Sequence, residues 1–285
     1  MAKSKAFGNP LFLQGKLVGE RASAVPLSIL QTIRQYPIPA TIGGSSNVTF
    51  TLKGSTRPIP IWHENDLILL EEDLAYTWNA TSNNILSSAG AAATDTDSVL
   101  GVWYMYATII ADSTAATGWA YALRPSQTAP EATQGPNGVT YLGHPGTSKL
   151  YPWRYVGFMV CTTAATPAFL TMTKIGYYWH WADLSNPTTA TTWTITSLFS
   201  VRLPKLAKLG GMVVGFLETG KAGSVQMSAS STSIEGAVKA GNQVTSSILF
   251  APFEVPGPAD ASGELYALHA VAAGDVHVTQ YKDAV

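Results

Sequence analysis

A chain of 285 residues carries 17 Lys+Arg against 18 Asp+Glu, a formal net charge of −1, which excludes a global electrostatic attraction to nucleic acid. Only 12% of its residues are charged and 46% are hydrophobic, where an ordinary globular domain has about 25% charged residues. Much of the exterior must be Ser, Thr, Asn, Gly and Ala, or be buried in an oligomer. Such a length buries roughly three quarters of its unfolded surface without staples, and the single cysteine, Cys161, excludes an internal disulfide.

The charge is uneven at the N-terminus, where residues 1–40 hold Lys3, Lys5, Lys16, Arg21 and Arg34 against one acid, Glu20. Charge alone reads as a solvated tail. The neighbouring Phe7, Leu11, Phe12 and Leu13 favour docking, because free tails rarely carry an apolar cluster. Lys3, Lys5, Phe7, Leu11, Phe12 and Leu13 are therefore the candidate anchoring residues, and an acidic neighbour is their expected partner. No apolar signal region follows Met1-Ala2-Lys3-Ser4-Lys5 and no apolar run reaches spanning length, so cytoplasmic synthesis without membrane insertion is expected. Between Pro26 and Pro37, the spacing of Ile29, Leu30, Ile33 and Tyr36 predicts a short helix over Ser28 to Gln35. From Pro37 to Pro60 the chain reads as extended, with a strand at Val48 to Leu52. Residues 1–60 are thus expected to form an N-terminal anchoring arm with one short helix.

A first β-sandwich domain is expected over residues 61–196, with strands at Leu67 to Leu70, Ala75 to Asn79, Val102 to Ile110, Trp119 to Leu123, Trp153 to Cys161 and Phe169 to Trp181. Two long polar loops, Thr81 to Ser98 and Pro125 to Ser148, separate them. The run Tyr151 to Asp183 reads as a β-hairpin around a Thr/Ala/Pro turn. In its first strand Tyr155, Gly157, Met159 and Cys161 should point one way and Val156, Phe158 and Val160 the other. Both faces are apolar, which requires two covers, from another sheet or another subunit. A second β-sandwich domain is expected over residues 197–285, with strands at Leu198 to Leu203, Met212 to Glu218, Ser224 to Ala229, Gln243 to Phe250, Glu264 to Val271 and Asp275 to Tyr281. In the last of these Val276 and Val278 should face inward, His277 and Thr279 outward. The fold class is all-β, two jelly-roll-like sandwiches behind an arm.

Catalytic motifs are thin. The sequence has no G-x-S-x-G elbow and no Walker loop, and His63-Glu64 lacks the second histidine of a zinc helix. Glu64, Asp66, Glu71, Glu72 and Asp73 could pair carboxylates for glycoside cleavage, but such runs are more often solvated edges. Asp95-Thr96-Asp97 lacks the third acid, turn glycine and distant Glu of a calcium loop. No catalytic residue, metal ligand or cofactor is assigned. Asn47-Val48-Thr49 and Asn79-Ala80-Thr81 match the glycosylation triplet only by chance in a chain without a secretory signal. Trp179 and Trp181 should share a core face with His180 opposite, and Cys161 should be a buried small hydrophobe. Trp119 and Tyr121, beside a loop, are the better candidates for glycan contact.

Five segments together, Tyr76-Thr77-Trp78-Asn79, Val102-Trp103-Tyr104-Met105-Tyr106-Ala107, Leu150 to Gly157, Phe169 to Trp179 and Phe199 to Pro204, follow a strand pattern that resembles the virion proteins of tailed bacteriophages. The pattern spans about two thirds of the chain. It departs from the family at Ala93-Thr94-Asp95-Thr96-Asp97, where Gly-Leu-Asp-Thr-Gly is usual, and lacks the second Arg of the hairpin. The resemblance implies a non-enzymatic virion protein, a homotrimer made in the host cytoplasm, whose arm anchors on other virion proteins and whose loops reach host surface glycans. A tail fibre or spike is the expected place, with head decoration or a head-fibre base as the alternative. The rivals from other classes are a β-sandwich polysaccharide depolymerase and a soluble lectin-like module.

Overall fold

In a computed structural model the described residues are 5–6, 37–43, 48–63, 66–78, 101–111, 114, 119–130, 140–143, 150–163, 168–188, 194–195, 203–206, 209–219, 223–228, 238–242, 249–256, 266–269 and 274–283. Among them the regular elements are all strands, with no α-helix. The helix expected over residues 28–35 lies outside the described residues, as do Lys3, Phe7, Leu11, Phe12 and Leu13. Lys5–Ala6 forms strand β1, and its backbone pairs antiparallel with strand β5 (Asp66–Leu70) of the same chain.

Strands β5, β1 and β4 (Ile59–His63) make a three-stranded sheet. A five-stranded sheet is centred on β10 (Leu150–Thr163) and β7 (Gly101–Ala111), flanked by β8 (Trp119–Ser126), β9 (Thr140–Gly143) and β11 (Ala168–Phe169). The largest sheet has eight strands in the order β18 (Leu249–Pro256), β15 (Met212–Thr219), β20 (Gly274–Lys282), β13 (Tyr178–Thr188), β12 (Met172–Ile175), β2 (Ala40–Gly43), β3 (Thr49–Lys53) and β6 (Asp73–Thr77). A four-stranded sheet combines β14 (Thr194–Ile195), β19 (Tyr266–His269), β16 (Gly223–Ser228) and β17 (Val238–Asn242). The strand pairings in all four sheets are antiparallel.

The eight-stranded sheet takes strands from all three of the segments expected from the sequence: β2 and β3 from 1–60, β6, β12 and β13 from 61–196, and β15, β18 and β20 from 197–285. The expected boundaries at 60/61 and 196/197 are therefore not sheet boundaries. One cluster of buried side chains runs from Ile38 and Phe50 through Tyr106 and Phe158 to Val278 and Tyr281. Phe158 joins the sheets: its ring lies 5.4 Å from that of Trp179 in β13 and 5.5 Å from that of Tyr281 in β20. Across the same five-stranded sheet, the Arg154 guanidinium donates to the Pro60 carbonyl of β4, and Tyr121 Oη donates to the Leu69 carbonyl of β5 at 3.2 Å. Val156, Phe158, Met159, Val160 and Cys161 are accordingly buried within a single chain. Both covers of the doubly apolar strand are intramolecular, so that strand gives no reason of its own for a subunit interface.

The expected hairpin is a shorter device. β10 pairs with β11 through Cys161↔Phe169 and Thr163↔Ala168 only, and after Leu170-Thr171 the chain passes into the eight-stranded sheet. A tight hairpin then joins β12 to β13 through Gly176-Tyr177, with Ile175 opposite Tyr178. Gly176 sits at φ +62°, at the first central position of a two-residue loop, where glycine carries no Cβ penalty.

Two bulges override simple alternation. Between Tyr155 and Gly157 the register of β10 against β7 slips by one residue, so Tyr155 and Phe158 both reach the eight-stranded sheet, against the alternation expected from the sequence. Gly157 makes that approach possible, because a Cβ there would lie 2.8 Å from Phe50 and 2.9 Å from Trp179. In β20 the slip falls at Thr279, where Gly215 opposes Val278 and Val214 opposes Gln280. Val276 and Val278 are buried as expected, and beyond the bulge Tyr281 and Asp283 are buried too. His277 is also buried: its ring stacks on Phe216 with centroids 4.2 Å apart, and Nε2 lies 3.1 Å from Glu218 Oε2.

Candidate functional site

The described side chains concentrate their buried polar chemistry where β10, β12 and β13 meet the end of β20. Asp283 follows the last strand and is only 2% exposed. Its Oδ2 accepts from Tyr155 Oη and from Trp179 Nε1, each at 3.1 Å, and its backbone N–H donates to the Tyr177 carbonyl at 2.7 Å. Lys174 Nζ stands 3.9 Å from the same oxygen and 5.0 Å from the centre of the Trp179 ring, with its side chain 1% exposed. Nearby, Tyr281 Oη donates to the Pro204 carbonyl at 2.9 Å and Tyr104 Oη accepts from the Lys205 N–H at 2.9 Å.

Burial outweighs Asp283 in setting Lys174, whose proton affinity falls below that of an ordinary lysine, and Arg154 lowers it further. The Tyr155 phenol is held well above its usual range of 10, by burial first and by the Asp283 charge second. Tyr155 binds its proton more tightly folded than unfolded, so its contribution is intact below pH 10 and fades as pH rises beyond it. Lys174 acts in the opposite direction only up to its unfolded value of 10.5, above which it changes nothing more. Stability should therefore fall above about pH 10.5, by up to about 1.4 kcal/mol per pH unit from Tyr155, with the last part of the tyrosinate absorbance rising together with unfolding. Tyrosinate absorbance that rises fully while the fold is intact would contradict a sealed Tyr155.

Just outside this cluster lies a groove of about 400 Å³, bounded by Pro37, Ile38 and Pro39 on one side and by Thr56, Arg57, Lys174 and Gly176 on the other. Arg57 is exposed at its rim. Of the adjoining strands, β12, which carries Lys174, pairs with β13 and β2, and β2, which follows Pro39, pairs with β12 and β3.

Among the described residues, those singled out from the sequence do not form one site. The Trp119 side chain lies outside the described residues. Tyr121 is half-buried, its hydroxyl engaged with Leu69 and pushed up to about 12 by burial first and by Glu72 and Glu71 second. Of the acidic run, Glu71, Glu72 and Asp73 are exposed, whereas Glu64 and the Asp66 side chain lie outside the described residues. Asp73 holds a turn: Oδ2 takes the Lys53 ammonium at 2.8 Å and Oδ1 takes the Ser55 hydroxyl at 2.6 Å, and these bonds lower its proton affinity, Lys53 first. Asp95-Thr96-Asp97 is outside the described residues, and among the described residues no group of three or more His, Cys, Asp or Glu side chains could hold a metal ion. No described helix is long and apolar enough to cross a membrane. Trp179 and Trp181 are buried, with Trp181 Nε1 donating to the Val278 carbonyl at 3.0 Å, and the single cysteine, Cys161, is buried as well.

The Asp283 cluster escaped sequence reasoning because nothing in the motif Tyr281-Lys282-Asp283 marks a buried acid. Its one signal was the parity break from Val278 to Tyr281, two apolar side chains three residues apart in a strand. No known family model matches the chain, and no curated protein matches it.

Proposed function

We propose that the chain is a non-enzymatic structural protein of a tailed-bacteriophage virion, an oligomeric tail-fibre or spike component anchored by its N-terminal arm. The observation that carries the reading is that the segments resembling phage virion proteins meet in one packed unit. Val102 to Ala107 lies in β7, Tyr155 to Gly157 in β10, and the two pair directly, with Tyr106 opposite Tyr155. Trp78 packs 4.9 Å from Trp103 and 4.9 Å from Phe169. Pro204, which ends the last segment, accepts from Tyr281 Oη, and Lys205 just after it donates its N–H to Tyr104 Oη. A pattern spread over 130 residues thus describes one core, as a shared module requires.

The mechanism is mechanical. Broad antiparallel sheets on a continuous core give a rigid scaffold, and the small charge fraction leaves surface that copies can bury against one another. Assembly by strand addition at the edges of the largest sheet is disfavoured: edge strand β18 carries Pro252 and Pro256, and edge strand β6 is short and begins at Asp73. Copies are therefore expected to associate face to face, and the resemblance to phage virion proteins makes a homotrimer the expected assembly. The native mass of the purified chain tests this: three chain masses of 30.2 kDa are expected, and a monomer at micromolar concentration would overturn the oligomeric half of the reading. Head decoration is the alternative place for the same scaffold.

A further inference from the structure

We propose that the outer face of the eight-stranded sheet is the surface on which copies of this chain meet, the raised apolar half of one copy, on β18, β15 and β20, seated on the low threonine half of the next, on β2, β3 and β6. The proposal rests on the oligomeric part of the reading above and names its surface.

Alternation makes the face. In β3 Phe50 and Leu52 are buried, so Thr49, Thr51 and Lys53 point outward, and in β15 Val213 and Leu217 are buried, so Val214, Phe216 and Glu218 do. Register then aligns Val214, Gln280, His180, Thr173, Thr41 and Thr51 in one transverse row.

The two halves differ in height. On one, Phe250 is 57% exposed and meets Phe216 edge-on with ring centroids 5.7 Å apart, while Phe216 stacks on His277 at 4.2 Å. Exposed Pro252 stands opposite Phe216. These rings are held before a partner arrives, so ordering them on association costs little. On the other half Thr41, Gly43, Ala75 and Thr77 are exposed and small. Large side chains set over small ones interdigitate, as packed cores do.

Charge selects the occupant. Among the described side chains of this face each acid already has a basic partner: Asp73 has Lys53 at 2.8 Å, Glu254 has Lys282 at 3.0 Å and Glu218 has the His277 ring at 3.1 Å. A charged partner meets no unmatched charge here, whereas a second copy of the same internally matched face buries no unpaired ion. The described piece of the N-terminal arm, Lys5–Ala6, is paired with β5 in the three-stranded sheet and leaves this face to another chain. Eight strands about 4.8 Å apart give the face on the order of 800 Å², the share that a standard interface takes from each partner.

The test is native mass at micromolar concentration for the wild type, Phe250→Lys, Ala75→Arg and, as control, Tyr141→Glu, a residue 42% exposed on β9 of the five-stranded sheet. Each face variant should weaken association at least about tenfold, because it carries an unmatched charge into the contact, and the control should assemble as the wild type does. Phe250 and Ala75 are exposed, so both face variants should melt with the wild type when all are diluted to monomer. A Pro252→Cys chain mixed with a Thr41→Cys chain tests the register of the halves. Cys161 is buried, so a short bismaleimide should join unlike chains in preference to like ones. Wild-type mass in both face variants, or cross-links between like chains only, would overturn the proposal and leave the oligomeric reading standing. A monomeric wild type would overturn both, and capture of cellohexaose by that monomer, lost in Phe250→Lys, would give the face to a sugar instead.

Discussion

Asp283→Ala is expected to lower stability by about 3–5 kcal/mol, the cost of breaking a buried ion pair by removing one partner, and the melting temperature by on the order of 10 °C. The substitution strips three groups at once. Tyr155 Oη and Trp179 Nε1 lose their shared acceptor, and Lys174, with a side chain 1% exposed, loses its carboxylate. Adding Lys174→Met should recover part of the loss, because it removes a buried ammonium that no longer has the Asp283 carboxylate beside it, but not all, because Tyr155 Oη and Trp179 Nε1 still lack the acceptor they shared. Thermal melts of the two single variants and the double variant supply the cycle. A single Asp283→Ala melt within a degree or two of wild type would mean that the cluster is solvated in the folded protein.

Phe158→Ala should cost about 3–5 kcal/mol as well, the range for removing a large buried aromatic. Its second signature is more informative. Phe158 touches Trp179 and Tyr281, strands that the sequence places in different halves of the chain. If one core spans both halves, wild type and variant each unfold in a single transition, with tryptophan fluorescence and far-ultraviolet dichroism coincident. Two transitions, only one of them moved by the substitution, would mean that the halves fold separately.

Strand content was legible because β-branched and aromatic runs bounded by Gly and Pro carry a local signal, and the buried alternation of β3 and β15 follows it residue by residue. The failures are equally physical. Gly176-Tyr177 turns the chain inside a run of aromatics, so a strand predicted over Phe169 to Trp181 is two strands and a stub. β18 was missed beyond Phe250 because Pro252 and Pro256 argue against a strand, although an edge position tolerates them. The bulges at Tyr155/Gly157 and Thr279 turn Phe158, Tyr281 and Asp283 onto faces that simple alternation does not give. Sheet membership was the least legible property. The pairing of β13 with β20 joins His180 to Gln280 across 100 residues, and only the folded chain reveals it.

The candidate site follows the same division. Its cations, Arg57 and Lys174, are unremarkable surface residues in the sequence, and strand order alone brings them to one groove beside a buried carboxylate. The aromatic pair that stood out, Trp119 and Tyr121, yields one described side chain, whose hydroxyl is spent holding two sheets together.

The number of copies of this chain in purified phage particles, measured by quantitative mass spectrometry against the major capsid protein, tests the virion assignment most directly. A small symmetric set, in multiples of three, is the expected result for a tail fibre or spike, whereas near-stoichiometric abundance would move the protein to the head. Absence from the particles would contradict the virion assignment altogether.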